Sequence, residues 1–205
     1  MGKTGIKRMI NVKDLVSVGI FTSLLVVLSQ VSIPLPFTPV PLTLSLFAVY
    51  LSSTVLGFKL GMLVQMTYFL LGMIGFPVFS GFRGGFIHLI GPSGGYLFSY
   101  IIITALIGIF TDRITAAHPL LYTGKVNPIG IISMNALVYS LSLGICYSLG
   151  SFWLSGFVKM SFFQSLLIGA LPYLPLDIVK IAACAVIVVP IKRAYLSVIA
   201  PRMDK

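Results

Sequence analysis

The sequence predicts an all-α integral membrane protein, a bundle of six transmembrane helices. Three observations carry that reading. Hydrophobic residues make up 58% of the 205-residue chain and charged residues only 9%, with a mean hydropathy of +1.06. A soluble domain of this size could not cover its surface with so few polar groups. The apolar residues come in long uncharged runs, whereas the strands of a porin-like barrel would alternate. The cations fall between the runs, mostly on what six crossings make one side of the bilayer. The length suits a single membrane domain, 1–205, with no room for a soluble one.

The first span, 15–33, is long enough to cross about 30 Å of hydrocarbon at about 1.5 Å per residue. Lys3, Lys7, Arg8 and Lys13 precede it, and no small-residue cleavage site follows, so it reads as a retained helix rather than a signal peptide. Pro34, Pro36, Pro39 and Pro41 end it in a stiff connection. The second span is 42–58, with Pro41 suited to its first turn. Lys59 marks a tight turn into the third span, 60–75. The fourth span, 94–111, is closed by Asp112 and Arg113. A polar loop with His118, Pro119, Lys125 and Pro128 leads to the fifth, 129–150. The stretch 151–171, with Lys159 and the single tryptophan Trp153, reads as an outer loop carrying a short interfacial helix near 162–169. Pro172 and Pro175 open the sixth span, 175–195.

Between the third and fourth spans lies Gly72 to Tyr96, GMIGFPVFSGFRGGFIHLIGPSGGY. Its glycines and prolines cannot continue a helix. Irregular backbone near membrane depth is tolerated only where it is buried in protein or lines a polar cavity. The stretch is therefore read as one wall of a ligand pocket.

An even number of spans puts both termini on one side. With that side in the cytoplasm, the inner cations are Lys3, Lys7, Arg8, Lys13, Lys59, Arg113, Lys125, Lys192, Arg193, Arg202 and Lys205. Arg83 and Lys159 are left outside, and Lys180 lies just within a span. This asymmetry follows the positive-inside rule. It also gathers the glycine-rich wall, the proline loop and the start of the sixth helix on the outer face. The net charge of +10, with no glutamate, then reflects topology and contact with anionic lipid rather than nucleic acid, for which no basic stripe or motif is present.

Asp177 and Lys180 are the leading candidates for recognition. Three residues apart on a helix, they share one face. They sit within the first turns of a span, where ionisable groups are costly unless paired or hydrated. A structural ion pair is the plainer reading; a polar recognition point is the sharper one. Arg83, between Gly81 and Gly84-Gly85, lies where a ligand can approach backbone closely, and its guanidinium suits a carboxylate. His88 reads as an interfacial hydrogen bonder, with no neighbouring metal ligands, and His118 has no assigned role. Among the aromatics, Phe79 and Tyr96 are candidates to wall an apolar ligand, with Ser93 beside them. Cys146 and Cys184 fall in apolar runs and read as small buried hydrophobes. Gly19 and Ser23 form a small-xxx-small pair that lets a partner helix approach. HExxH, GxSxG, P-loop and paired-carboxylate patterns are absent from the sequence, so no enzyme activity, metal or cofactor is expected.

Gly75-Phe-Pro-Val-Phe79, Gly84-Gly85, Leu89-Ile-Gly-Pro-Ser-Gly-Gly-Tyr96 and Leu176-Asp-Ile-Val-Lys180 together resemble the BioY family. Members of that family are the biotin-specific substrate-binding (S) components of energy-coupling-factor (ECF) transporters. The resemblance covers nearly the whole chain. On the first helix, Gly19 and Ser23 stand where the family often has alanines in an AxxxA pattern. The resemblance implies an ECF S-component-like bundle in a prokaryotic plasma membrane, with both termini cytoplasmic. It implies biotin capture from outside, and docking to a transmembrane coupling protein with two ATPase subunits. It further implies that the whole component topples in the bilayer when it docks. On this view Arg83, Gly84, Gly85, Asp177, Lys180, Phe79, Tyr96 and Ser93 contact the ligand, and Gly19 and Ser23 meet the partner helix.

Three other readings compete. A solitary ion-driven transporter should show intramembrane acids and an internal repeat; only Asp177 is present and no repeat is clear. A membrane acyl or prenyl transferase needs clustered acids or histidines, which the sequence lacks. An S component for thiamine or riboflavin would favour more aromatic stacking, whereas Arg83, Asp177 and Lys180 suit a ureido acid.

Overall fold

The structure, a computed structural model, describes residues 11–118, 122 and 128–199. Lys3, Lys7, Arg8, Pro119, Lys125, Arg202 and Lys205, used above in reading loops and topology, lie outside the described residues. The helices are α1 Val12–Gln30, α2 Ser45–Met73, α3 Phe86–Leu89, α4 Gly94–Ala117, α5 Pro128–Val158, α6 Phe162–Gly169 and α7 Leu174–Ile199. Between α1 and α2, β1 Ser32–Ile33 and β2 Leu42–Thr43 form a short antiparallel hairpin, with Ser32 opposite Thr43 and Ile33 opposite Leu42. The first helix therefore stops at Gln30, short of the predicted 33. The residue before a proline is driven to extended geometry, and Ile33 precedes Pro34.

Among the described residues, five helical stretches are long and apolar enough to cross a membrane, and one of them, α2, is two helices joined at a break. At Gly57 the backbone takes φ 76° and ψ −169°, outside the helical region. A Cβ placed on Gly61 would lie 3.3 Å from the Cα of Ser53. In a straight helix those positions are about 12 Å apart. The chain thus reverses at Gly57 into two antiparallel halves, which restores six spans. The turn is at Gly57 and not at Lys59, because this backbone conformation is open essentially to glycine alone. The amide of Phe58 donates to Asp112 Oδ2 at 3.0 Å, so a carboxylate from α4 caps the second half.

Helix α4 packs on both α2 and α5, and α7 on the same two. Helix α1 touches mainly α2 and buries one stripe, Asp14, Val18, Thr22, Leu25 and Ser29, at helical spacing. Val16, Ile20, Val27 and Val31 on its other side are exposed, as suits a lipid-facing surface. Helix α5 runs on to Val158, so 151–158 is helix and not loop. Leu154 is buried there, and Trp153 Nε1 donates to the Gly91 carbonyl at 2.9 Å. The helix ends where Lys159 adopts φ 52°. A capping box of Ser161 and Gln164 then starts α6 at the predicted 162–169.

Alanine at Gly57 would strain the backbone and collide with the Asp112 carboxylate. Gly57→Ala is expected to cost about 2 kcal/mol or more, lowering the thermal midpoint of the detergent-purified protein. Gly19→Ala, in an ordinary helical position with no atom near its Cβ, should leave the midpoint unchanged or raise it slightly.

Candidate functional site

At the end of the bundle opposite the Gly57 turn, two connected chambers open between α2, α4, α5, α7 and the proline loop. Val40, Pro41, Thr43, Tyr96 and Tyr100 wall both. The lower chamber, with about 60 Å³ of free space, reaches Tyr147, Cys146, Tyr173, Asp177 and Lys180. The upper one, about 210 Å³, is bordered by Phe79, Arg83, His88, Ser93 and Tyr68.

The floor is a charged group held inside the bundle. Asp177 and Lys180 lie on the inward face of α7 and are 4% and 6% exposed. Lys180 Nζ donates to Asp177 Oδ1 at 2.6 Å and to the Thr43 carbonyl at 2.6 Å. Tyr147 on α5 donates its hydroxyl to Asp177 Oδ2 at 2.5 Å. Neither ion is saturated: an ammonium has three donors and a carboxylate about four acceptor sites. The pair can therefore offer both an acceptor and a donor to a ligand while remaining neutral overall.

The roof is different. Arg83 is exposed, and among the described residues no acid pairs with it. It borders the upper chamber and a further recess under the proline loop. Phe79 and Arg83 pair their backbones across a tight turn, with N to O distances of 2.9 and 3.2 Å. The proline loop is tied to the start of α7 by Tyr173, whose hydroxyl donates to the Val40 carbonyl at 2.6 Å. Tyr96 is fixed by its hydroxyl donating to the Gly169 carbonyl at 2.8 Å, and its ring rests where Gly150 has no side chain. The cavity is thus aromatic at its waist, paired at its floor and cationic at its rim.

The structure places Asp177 and Lys180 on the lower chamber, Arg83, Phe79 and Ser93 on the upper one, and Tyr96 between the two. Gly84 and Gly85 do not line it. Gly84 lies against the backbone of Phe76, where any side chain would collide, and the Gly85 amide donates to the Gly72 carbonyl at 2.7 Å. Both shape the loop instead of touching the chamber. Gly19 and Ser23 are exposed on α1, far from this wall in the chain, with Ser23 Oγ bonded back to the Gly19 carbonyl at 2.9 Å. Cys146 and Cys184 are buried and free; Cys146 borders the lower chamber and accepts from Ser99 Oγ at 3.1 Å. The sequence reading missed Tyr147 and the Thr43 carbonyl. A hydroxyl inside the fifth span was the signal for Tyr147; nothing marks a backbone carbonyl. Of the other aromatics, Tyr100 and Tyr173 line the cavity, while Phe98, Trp153 and Phe157 stack with one another outside it.

Removing one member of a buried ion pair leaves the other uncompensated, at a cost of about 3 kcal/mol or more. Lys180→Met should therefore depress the thermal midpoint strongly. The double variant Asp177→Leu/Lys180→Met should recover much of that loss, as read by thermal unfolding in detergent.

Comparison with known proteins agrees with this architecture. The profile of the BioY family matches residues 3–197. A protein of Thermotoga maritima named "Biotin transporter BioY" is 38% identical over 181 residues, 88% of this chain and 96% of that one. A "Probable biotin transporter BioY" of Pyrococcus horikoshii is 39% identical over 176 residues, 86% of this chain and 93% of its own. A solved structure, described as the S-component for biotin from an ECF-type ABC transporter, superposes with a TM-score of 0.77 at 28% identity. It covers 89% of this chain and 92% of the other. By the extent of the profile match and the identity to these relatives, the chain belongs to the BioY family.

Proposed function

We propose that this chain is the biotin-binding S component of an ECF-type vitamin importer in a prokaryotic plasma membrane. The observation that carries the reading is a neutral buried pair, Asp177 and Lys180, at the floor of an aromatic site, with Arg83, unpaired among the described residues, at the rim. Biotin has the matching polarity. Its ureido ring carries two N–H donors and a carbonyl, which the spare acceptors of Asp177 and the spare donor of Lys180 suit. Its valerate ends in a carboxylate, which the Arg83 guanidinium suits. Its thiophane ring and aliphatic chain suit Tyr96, Tyr100 and Phe79. Thr43 and Tyr147 then act by holding the floor pair in place.

The energy for import comes from partners in this proposal. The chain has no phosphate-binding loop, so two ATPase subunits act through a transmembrane coupling protein. The exposed face of α1 with Gly19 and Ser23 is the surface offered to that protein. The cavity faces outside when empty, and the whole component topples on docking to deliver its cargo. No cofactor takes part beyond the ATP used by the partners.

Equilibrium binding to the detergent-purified chain tests the reading. Biotin is expected to bind, desthiobiotin more weakly, and thiamine not at all; failure to bind biotin would refute it. Arg83→Ala should weaken biotin about tenfold or more, the worth of a charge-assisted hydrogen bond, and leave biotin methyl ester unaffected. Asp177→Asn should weaken both, since the ureido ring is common to them. Uptake in cells should stop without the coupling protein and ATPases.

A further inference from the structure

We infer that Gln30, the last residue of α1, is a positioning residue for Arg83, so that α1 sets the anion end of the binding site. The inference rests on the reading of Arg83 as the partner of the ligand carboxylate. Arg83 sits on a turn that its backbone pairing with Phe79 closes, but that carries left-handed backbone at two positions. Gly81 has φ 72°, and Phe82, a residue with a side chain, has φ 57° in the left-handed region. The Phe82 ring is largely exposed. What fixes the turn is a side-chain amide from another element. Gln30 Oε1 accepts the Phe82 amide at 2.8 Å. Its Nε2 lies within donating distance of the Val78 carbonyl, at 3.1 Å, and the Pro77 carbonyl, at 3.3 Å. One side chain thus spans both strands of the turn, before Phe79 and just before Arg83. Ser29, fully buried, places its Oγ 2.6 Å from the same Val78 carbonyl and 2.6 Å from the Val26 carbonyl, so its one proton is shared between them.

The chemistry favours a glutamine here. The turn presents carbonyls on one limb and an amide on the other, and a primary amide, with donor and acceptor on one rigid plane, can answer both at once. The Phe79 limb is anchored independently by its ring against Tyr68, with centroids 5.4 Å apart. The Arg83 limb has the backbone pairing with Phe79 and the Gln30 contact. Loss of Gln30 therefore frees the Arg83 limb more than the Phe79 limb.

The test uses Gln30→Met, which keeps the length of the side chain and removes its hydrogen bonds, with Gln30→Leu run beside it to separate shape from bonding. Biotin and biotin methyl ester are titrated against the purified full chain, in the parent and in the Arg83→Ala background. Both Gln30 variants should weaken biotin by roughly threefold to tenfold, the range one or two neutral hydrogen bonds span. They should leave the ester unchanged, and add nothing once Arg83 is alanine. Equal weakening of acid and ester, or the same loss in the Arg83→Ala background, would show a general packing role and overturn the inference. So would unchanged biotin affinity while Arg83→Ala still discriminates acid from ester. If Arg83→Ala itself fails to discriminate them, the carboxylate reading falls first and this inference with it.

Discussion

The buried ammonium of Lys180 constrains the rest of the structure. An unpaired cation at this depth would cost several kcal/mol, so every neighbouring element is arranged to answer it. Asp177 answers from the same helix, and Thr43 answers with a backbone carbonyl from β2. Asp177 is in turn held by Tyr147 on α5. One charge thereby fixes the relative placement of α5, α7 and the hairpin. The proline loop follows, because it is closed at one end by the hairpin and tied at Val40 to Tyr173. The cavity is what remains between elements that the ion pair has already located.

Small residues do the complementary work. A membrane bundle has no hydrophobic drive to bring its helices together, so close packing must do it. Gly95 gives Trp153 room to cross from α5 and reach the Gly91 carbonyl. Gly150 gives the Tyr96 ring its seat. The aromatics at the waist of the cavity are thus oriented by absences of side chain on neighbouring helices. The irregular segment between α2 and α4 is tolerated at this depth because its carbonyls are taken up by Trp153, Ser29 and Gln30.

Much of this was legible in the sequence. Hydropathy located the long helices, since it is additive along the chain. Pro and Gly clusters marked the wall and the loop, since their backbone limits are local. Asp177 and Lys180 stood out because ionisable groups in spans are rare. What the sequence hid depends on pairing across long separations. Tyr147 is thirty residues from Asp177, and its hydroxyl inside a span does not say which partner it meets. The contribution of Thr43 is a carbonyl, identical in every residue. Lys59 drew attention as the only charge near the α2 turn, while the backbone demand fell on Gly57, whose role appears only with Asp112 folded against it. Trp153 falls in a stretch whose sequence reads as an outer loop, yet it lies on α5 and its indole donates to the Gly91 carbonyl.

The contrast between a neutral floor and a lone cation at the rim has an electrical corollary. Without a bound anion, Arg83 carries a charge that no acid among the described residues compensates, and hydrocarbon would oppose it more than water does. With a carboxylate seated on it, that end of the molecule becomes a dipole. Under the proposed pose the filled protein is therefore the easier passenger in lipid, and the vacant one is kept upright by its own hydration. On that pose, occupancy changes the charge at the rim and leaves the paired floor as it was.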